Sequence, residues 1–92
     1  MSDRVTRRLH IVNEKGLHAR ASAKLVEVVE AHDARARVSK DGLDASGDSI
    51  MGLLMLAASR GTSIEVETSG PEAEKLANAL EALVADKFGE DF

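Results

Sequence analysis

The chain has 92 residues, of which 16 are acidic and 12 are basic, and its formal net charge is −4. This length predicts one domain over residues 1–92, with a modest core and no room for a separate catalytic domain, and the acidic balance argues against nucleic-acid binding. The absence of cysteine excludes a disulfide framework, a thiolate metal site and a thiol nucleophile.

The first half of the chain predicts a strand, a helix and a hairpin. Residues 5–12 favour a strand, because Val5, Leu9 and Ile11 fall on one face. After a loop over residues 13–16, apolar side chains recur at helical spacing from residue 19 to residue 31, without Gly or Pro. Residues 34–40 then alternate in polarity, and the Asp41-Gly42 turn leads into a short strand.

The next segment predicts a short helix followed by a strand. Ser49 can cap a helix that begins at Ile50 and continues to about Ser59, with Gly61 marking its end. Capping alone is a sufficient role for this serine. Residues 63–69 alternate apolar and acidic side chains, which predicts a strand with one solvent-exposed face.

The last segment predicts a helix. Gly70-Pro71 is expected to open it, because proline at the first helical position loses no hydrogen bond. Its buried stripe is predicted to comprise Leu76, Leu80, Leu83, Val84 and Phe88. Residues 90–92 are expected to fray. The full order of elements predicts an α+β fold, an antiparallel sheet with helices packed on one face.

A phosphate site is predicted where the first helix begins. The segment Gly16-Leu17-His18-Ala19-Arg20-Ala21 lies between the first strand and the first helix. A helix N-terminus offers unpaired amides and a positive dipole end, so an anion on His18 would be flanked by Arg20. Neutral imidazole can accept a phosphoryl group, because one ring nitrogen keeps its lone pair near pH 7. The stabilising amides would be those of Ala19, Arg20, Ala21 and Ser22.

The residues alone leave other interpretations of His18 open. A polar residue that satisfies a helix end is the simplest. His10 and His32 fit only structural roles, and no histidine pair has metal-ligand spacing, so no metal or other cofactor is expected. His18 could also be the general base of a small hydrolase with Arg20 as anion clamp, although no carboxylate or hydroxyl stands in an obvious orienting relation to it.

Two motifs resemble one known family. They are Gly16-Leu17-His18-Ala19-Arg20 and Ser49-Ile50-Met51-Gly52-Leu53-Leu54, with Gly61 following before a strand. Their order is similar to that in the histidine-containing phosphocarrier family, HPr, of the bacterial phosphoenolpyruvate-dependent phosphotransferase system. The resemblance covers essentially the whole chain and includes the nitrogen-regulatory branch, NPr. It implies four antiparallel strands covered on one face by three helices, in the order βαββαβα.

The resemblance also implies a function, that of a phosphoryl carrier rather than a stand-alone enzyme. His18 would accept a phosphoryl group on Nδ1 from enzyme I, which takes it from phosphoenolpyruvate, and pass it to an enzyme IIA protein or domain. Arg20 would steady the phosphate, and Ser49 would be the target of an HPr serine kinase. The output would be sugar uptake, nitrogen-branch regulation or both. The alternative is a regulatory docking protein whose phosphorylation state controls a sensor or transcription factor.

The second helix carries more apolar residues than one buried stripe needs. The resemblance implies that its start docks partners through Ile50, Met51 and Leu54. A helix buried on all sides fits the composition equally well. After the arginine the family usually has Pro-Ala where this chain has Ala21-Ser22, and the helix is expected to start at the same place because alanine is a strong helix former.

No segment is long and apolar enough to cross a membrane, and the first residues lack the apolar core of a signal peptide. We therefore expect a cytoplasmic protein without direct membrane insertion. A monomer is the expected form, because one face must fit several partners.

Overall fold

The computed structural model describes residues 3–92 and contains four strands and three helices in that range. In chain order they are β1 (Arg4–His10), α1 (Ala19–Glu30), β2 (Arg35–Lys40), β3 (Leu43–Ser46), α2 (Ile50–Met55), β4 (Ser63–Ser69) and α3 (Ala73–Ala85). A 3-10 turn over Lys87–Gly89 follows α3. The predicted order of elements and the α+β class are confirmed.

The four strands form one antiparallel sheet in the order β1-β4-β2-β3. Cross-strand pairing sets Leu9 opposite Ile64 and Val38 opposite Val66, and all four side chains are buried. Residues between them along the strands point to solvent, since successive side chains alternate between faces. One face of the sheet is thus wet, and the helices cover the other.

The covered face of the sheet and the inner faces of the helices share one cluster of buried apolar side chains. Leu25 of α1, Leu53 of α2 and Leu76 of α3 are completely buried in it. Phe88 is also completely buried, although it lies in the turn after α3 rather than in the helix. The last helix is thus followed by a segment that packs against the core. No helix within residues 3–92 is long and apolar enough to cross a membrane.

Two predicted helix boundaries are wrong, each for a local reason. Helix α2 ends at Met55 rather than near Ser59, because Ala57 adopts a left-handed backbone with φ of 52°. Helix α3 begins at Ala73 rather than at Pro71. There the Glu72 amide donates to the Asp33 carbonyl at 3.0 Å and a Glu72 carboxylate oxygen accepts from the Asp33 amide at 2.7 Å, which holds the entry to α3 in a turn.

Candidate functional site

The loop that carries His18 is fixed against the segment that follows α2. Leu17 is buried, and its amide donates to the Ala58 carbonyl at 2.8 Å. Gly16 adopts φ of 66°, and a Cβ there would overlap the Ala58 carbonyl oxygen and lie 2.9 Å from the Ser59 Cα. Only glycine allows this approach, so Gly16 sets the position of the residue two places on.

His18 is the N-cap of α1. Its backbone is extended, and its Nδ1 accepts a hydrogen bond from the Arg20 amide at 3.3 Å. The helix therefore starts where the sequence predicts, despite Ala21-Ser22. The Ser22 amide donates to the His18 carbonyl at 2.8 Å, which is the first hydrogen bond within the helix. Of the four predicted phosphate-binding amides, those of Ala19, Arg20 and Ala21 have no carbonyl partner within the helix, although the Arg20 amide binds His18 Nδ1, and that of Ser22 is paired.

A carboxylate that the sequence analysis missed lies against the other side of the His18 ring. Glu90 forms a hydrogen bond to His18 Nε2 through one carboxylate oxygen, and its second oxygen accepts from Asn13 Nδ2 at 2.9 Å. The same Asn13 nitrogen also donates to the Gly16 carbonyl at 2.9 Å. The expectation that residues 90–92 fray is wrong, as is the expectation that no carboxylate orients His18. No spacing rule joins residues 18 and 90, so only the structure reveals the contact.

The segment after α3 is anchored at three points. Phe88 is buried in the core, Lys24 Nζ donates to the Phe88 carbonyl at 2.6 Å, and the Glu14 amide donates to the Phe92 carbonyl at 3.1 Å. Lys87, Phe88 and Gly89 all adopt positive φ values, between 56° and 78°. This left-handed turn reverses the chain and brings Glu90 back to the start of α1.

The contacts around His18 determine where its proton lies. Nδ1 accepts from a backbone amide, so in the neutral ring the proton is on Nε2, which donates to the Glu90 carboxylate. Partial burial works to raise the pKa of Glu90, but the hydrogen bonds from Asn13 and His18 and the nearby Lys15 charge outweigh it and hold that pKa below its ordinary value. The carboxylate is thus a stable acceptor at neutral pH.

A pocket of about 300 Å³ opens beside the ring. It is lined by Glu14, Lys15, His18, Arg20, Gly89, Glu90, Asp91 and Phe92. Within residues 3–92 the Arg20 guanidinium has no ion-pair partner, so it is available to an anion. The described lining holds no serine, threonine or cysteine that His18 could activate, which disfavours the hydrolase alternative even though Glu90 orients the ring.

The other two histidines have structural contacts. His10 Nδ1 lies 2.8 Å from the Ser63 hydroxyl, and His32 Nδ1 lies 2.7 Å from the Val28 carbonyl oxygen. In residues 3–92 no cluster of histidine and carboxylate side chains could hold a metal ion.

The predicted second motif forms helix α2 and its cap. Ser49 Oγ accepts from the Gly52 amide at 3.1 Å, which confirms its capping role. Met51 is 70% exposed and Ile50 is 40% exposed, whereas Leu54 is partly buried and Leu53 is fully buried. The interpretation of α2 as a helix buried on all sides is therefore wrong. An apolar surface remains on a helix that packs against α1.

Comparison with known proteins gives consistent matches. The family model described as the PTS HPr component phosphorylation site matches residues 5–86. The phosphocarrier protein HPr of Cupriavidus necator is 44% identical over 80 residues, which cover 87% of this chain and 90% of that protein. The phosphocarrier protein NPr of Escherichia coli K12 is 39% identical over 88 residues, which cover 95% of this chain and 98% of that protein.

The fold also matches a solved structure. The crystal structure of HPr-C-His from Thermoanaerobacter tengcongensis has a TM-score of 0.90 and 32% sequence identity, and the match covers 96% of this chain and 99% of that one. Sequence and fold therefore agree over almost the entire chain.

Proposed function

Because this chain belongs to the HPr family of phosphocarrier proteins of the phosphotransferase system, we propose that it accepts a phosphoryl group on His18 from enzyme I and passes it to an enzyme IIA. Phosphocarriers act between partners and are not stand-alone enzymes. The observation that carries the assignment to His18 is its position as the N-cap of α1, with Nδ1 directed at the helix amides. In this proposal residues 1–92 act as one phosphocarrier domain.

The transfer step needs no proton to move in the carrier. The Nδ1 lone pair leaves its hydrogen bond with the Arg20 amide and attacks phosphorus. The bond between phosphorus and the donor atom on enzyme I breaks, and its electron pair stays with that donor atom. His18 keeps its proton on Nε2 throughout, hydrogen-bonded to Glu90. On transfer to enzyme IIA the new N–P bond breaks and the pair returns to Nδ1.

The phosphoryl oxygens would meet the positive end of α1. The amides of Ala19 and Ala21 have no carbonyl partner within the helix, and that of Arg20 becomes available when Nδ1 bonds to phosphorus. Arg20 and Lys15 also line the pocket beside the ring. A dianion at a helix N-terminus is stabilised by these amides and by the dipole. Partner proteins then supply the remaining groups for catalysis.

The test is phosphorylation with enzyme I, magnesium and phosphoenolpyruvate, followed by intact-mass analysis and an acid-lability assay. We expect one added phosphate that is lost in acid, absent from His18→Ala and retained in His10→Ala and His32→Ala. A phosphate on His18→Ala would contradict the assignment. Running the assay with enzyme I and enzyme IIA pairs of the sugar and the nitrogen branches identifies the output by which IIA accepts the group.

We further propose that Ser49 is a regulatory phosphorylation site for an HPr serine kinase. Its hydroxyl already lies at the N-terminus of α2, where a phosphate is compatible with the free amides, and Asp48 precedes it. The added charge would act on docking by repelling an acidic partner rather than by unfolding the helix. Incubation with the kinase and mass analysis of wild type and Ser49→Ala tests this directly.

The exposed part of α2 is our proposed docking surface, formed by Ile50, Met51 and Leu54. Exposed methionine suits a face that must fit several partners, because its flexible thioether adapts to different shapes. We propose that the working form is a monomer, which leaves this surface open. Light scattering after size-exclusion chromatography would contradict the monomer if the mass corresponded to two chains.

A further inference from the structure

The contact between Glu90 and His18 is held in place by several other interactions. The Glu90 side chain is only 14% exposed, and both of its carboxylate oxygens have partners, one on the His18 ring and one on the buried Asn13. Asn13 is itself held by its second hydrogen bond, to Gly16. The carboxylate therefore has one position, set by groups that are already fixed by the core.

That position determines the orientation and tautomer of the ring. The Arg20 amide binds Nδ1 from one side, and the Glu90 carboxylate binds Nε2 from the other. An ionised carboxylate only accepts hydrogen bonds, so it selects the tautomer with the proton on Nε2. The nitrogen left without a proton is Nδ1, whose lone pair accepts from the Arg20 amide at the start of the helix.

We propose that Glu90 is a positioning residue for phosphoryl transfer, holding His18 with Nδ1 unprotonated and stabilising the positive charge that the ring gains when Nδ1 bonds to phosphorus. This inference rests on the proposed function of His18. When the Nδ1 lone pair forms the N–P bond and Nε2 keeps its proton, the ring carries one positive charge. The Glu90 carboxylate, already on Nε2, lies where that charge develops.

The neighbouring charges do not duplicate this role. Glu14, Asp91, Lys15 and Arg20 line the same pocket, but among residues 3–92 only Glu90 forms a hydrogen bond with Nε2. Arg20 and Lys15 act on the phosphate side through their positive charge. Asp86 is exposed, lies in the segment after α3 outside this pocket and has no bond to His18, so it provides a matched control.

The experiment compares wild type, Glu90→Gln and Asp86→Asn. Glu90→Gln keeps the size and a hydrogen-bond acceptor but removes the charge. Single-turnover transfer from phospho-enzyme I is measured by rapid quench across a range of carrier concentrations, to separate the maximal rate from the concentration dependence. The Nε2 proton of His18 is followed by NMR in the unphosphorylated proteins, and circular dichroism establishes that each variant is folded.

We expect Glu90→Gln to lower the maximal rate at least about tenfold with an unchanged concentration dependence, a smaller loss than the roughly 10⁴-fold effect of the orienting aspartate in serine proteases, because no proton moves here. The downfield, slowly exchanging Nε2 proton signal of wild type should move upfield and exchange faster in Glu90→Gln, because a neutral acceptor binds it less strongly. The signal should be unchanged in Asp86→Asn, which should also transfer at the wild-type rate.

Two results overturn the inference. One is an unchanged maximal rate in Glu90→Gln. If wild type is still phosphorylated on His18, that result removes the role of Glu90 but not the proposed function. The other is an equal loss in Asp86→Asn, which would mean that the general negative charge of the segment after α3 matters and not the bond to the ring. Failure of wild type to take phosphate on His18 would instead remove the proposed function itself, and the NMR signal would still report the contact.

Discussion

Replacing Asn13 with Asp would place a second carboxylate inside the network that holds the site. Asn13 is completely buried, and its side-chain nitrogen donates to both the Gly16 carbonyl and the Glu90 carboxylate. Asp at this position has the same shape but no donor. Two acceptors lose their hydrogen bonds, and a negative charge faces Glu90.

The size of the effect follows from the geometry. Two lost hydrogen bonds correspond to about 1 kcal/mol each. Two unit charges at the 2.9 Å separation of Asn13 and Glu90 would repel by about 6 kcal/mol at an effective dielectric constant of 20. Because one carboxyl can take up a proton instead, we expect a loss of about 3–5 kcal/mol at pH 7, in the range for an uncompensated buried charge. For a domain of this length the melting temperature would fall by about 12–40 °C.

The pH dependence separates repulsion from lost hydrogen bonds. In wild type the pKa of Glu90 is lowered, so the stability it contributes is present above the ordinary carboxyl pKa and is lost as the pH falls through the folded value. In Asn13→Asp one carboxyl has its pKa raised by the like charge, so the variant gains stability as the pH falls from 7 towards 5. Asn13→Ala, which loses the bonds without adding charge, should lose about 1–3 kcal/mol with no such gain.

The measurement is urea denaturation followed by circular dichroism between pH 4 and pH 8, since the chain has no tryptophan or tyrosine for fluorescence. The free energy of unfolding of Asn13→Asp should approach that of Asn13→Ala at the acid end and fall below it at pH 7. Equal stability of the two variants at every pH would refute the network as described.

Three further predictions follow from other parts of the site. Gly16→Ala should destabilise the fold by about 2–4 kcal/mol, because the strain of a left-handed alanine adds to a clash with the backbone. Gly42→Ala, at a positive φ with nothing within 4 Å, should destabilise it only by the strain of about 1–2 kcal/mol. Equal losses of unfolding free energy in urea denaturation would argue against the packed loop. Ser49→Asp should slow transfer from enzyme I about tenfold, whereas Ser49→Asn should transfer at the wild-type rate, because both residues cap helices well and only Asp adds charge. Equal transfer rates in the two variants would exclude electrostatic repulsion as the regulatory cause. Met51→Glu should raise the KM of enzyme I for the carrier about tenfold. The control is Leu43→Glu, which changes an apolar residue that is 56% exposed in β3, outside the docking surface, and should leave the KM unchanged. A similar rise in both variants would show that net charge and not this surface controls docking.

The order and type of the elements could be predicted because they depend on local patterns. Alternation in β4 and helical spacing in α1 lie within single segments, and both elements occur where expected. The C-terminal end of α2 depends on Ala57 in a left-handed conformation. The start of α3 depends on the hydrogen bonds between Glu72 and Asp33, which are 39 residues apart. No pattern within a segment reports such contacts.

The candidate site also has one part that the local sequence predicts and another that depends on a distant contact. The capping of α1 by His18 involves the amide two residues on, so the sequence alone indicates it. The position of Glu90 depends on a left-handed turn at Lys87 and Phe88, which places the Phe88 ring in the core. This backbone conformation is strained, and it is adopted because the burial of Phe88 and the hydrogen bond from Lys24 compensate the strain. Sequence reasoning treats those residues as the end of a helix followed by a loose terminus, and so misses half of the site.

The 72 residues that separate His18 from Glu90 also set the order in which the site is completed during synthesis. The histidine, its helix and the loop around it emerge from the ribosome early, while the carboxylate emerges only after α3 has been made. A growing or truncated chain therefore presents His18 without the group that orients it. Full readiness to accept a phosphoryl group would therefore wait until α3 and the turn that brings Glu90 to His18 have been made.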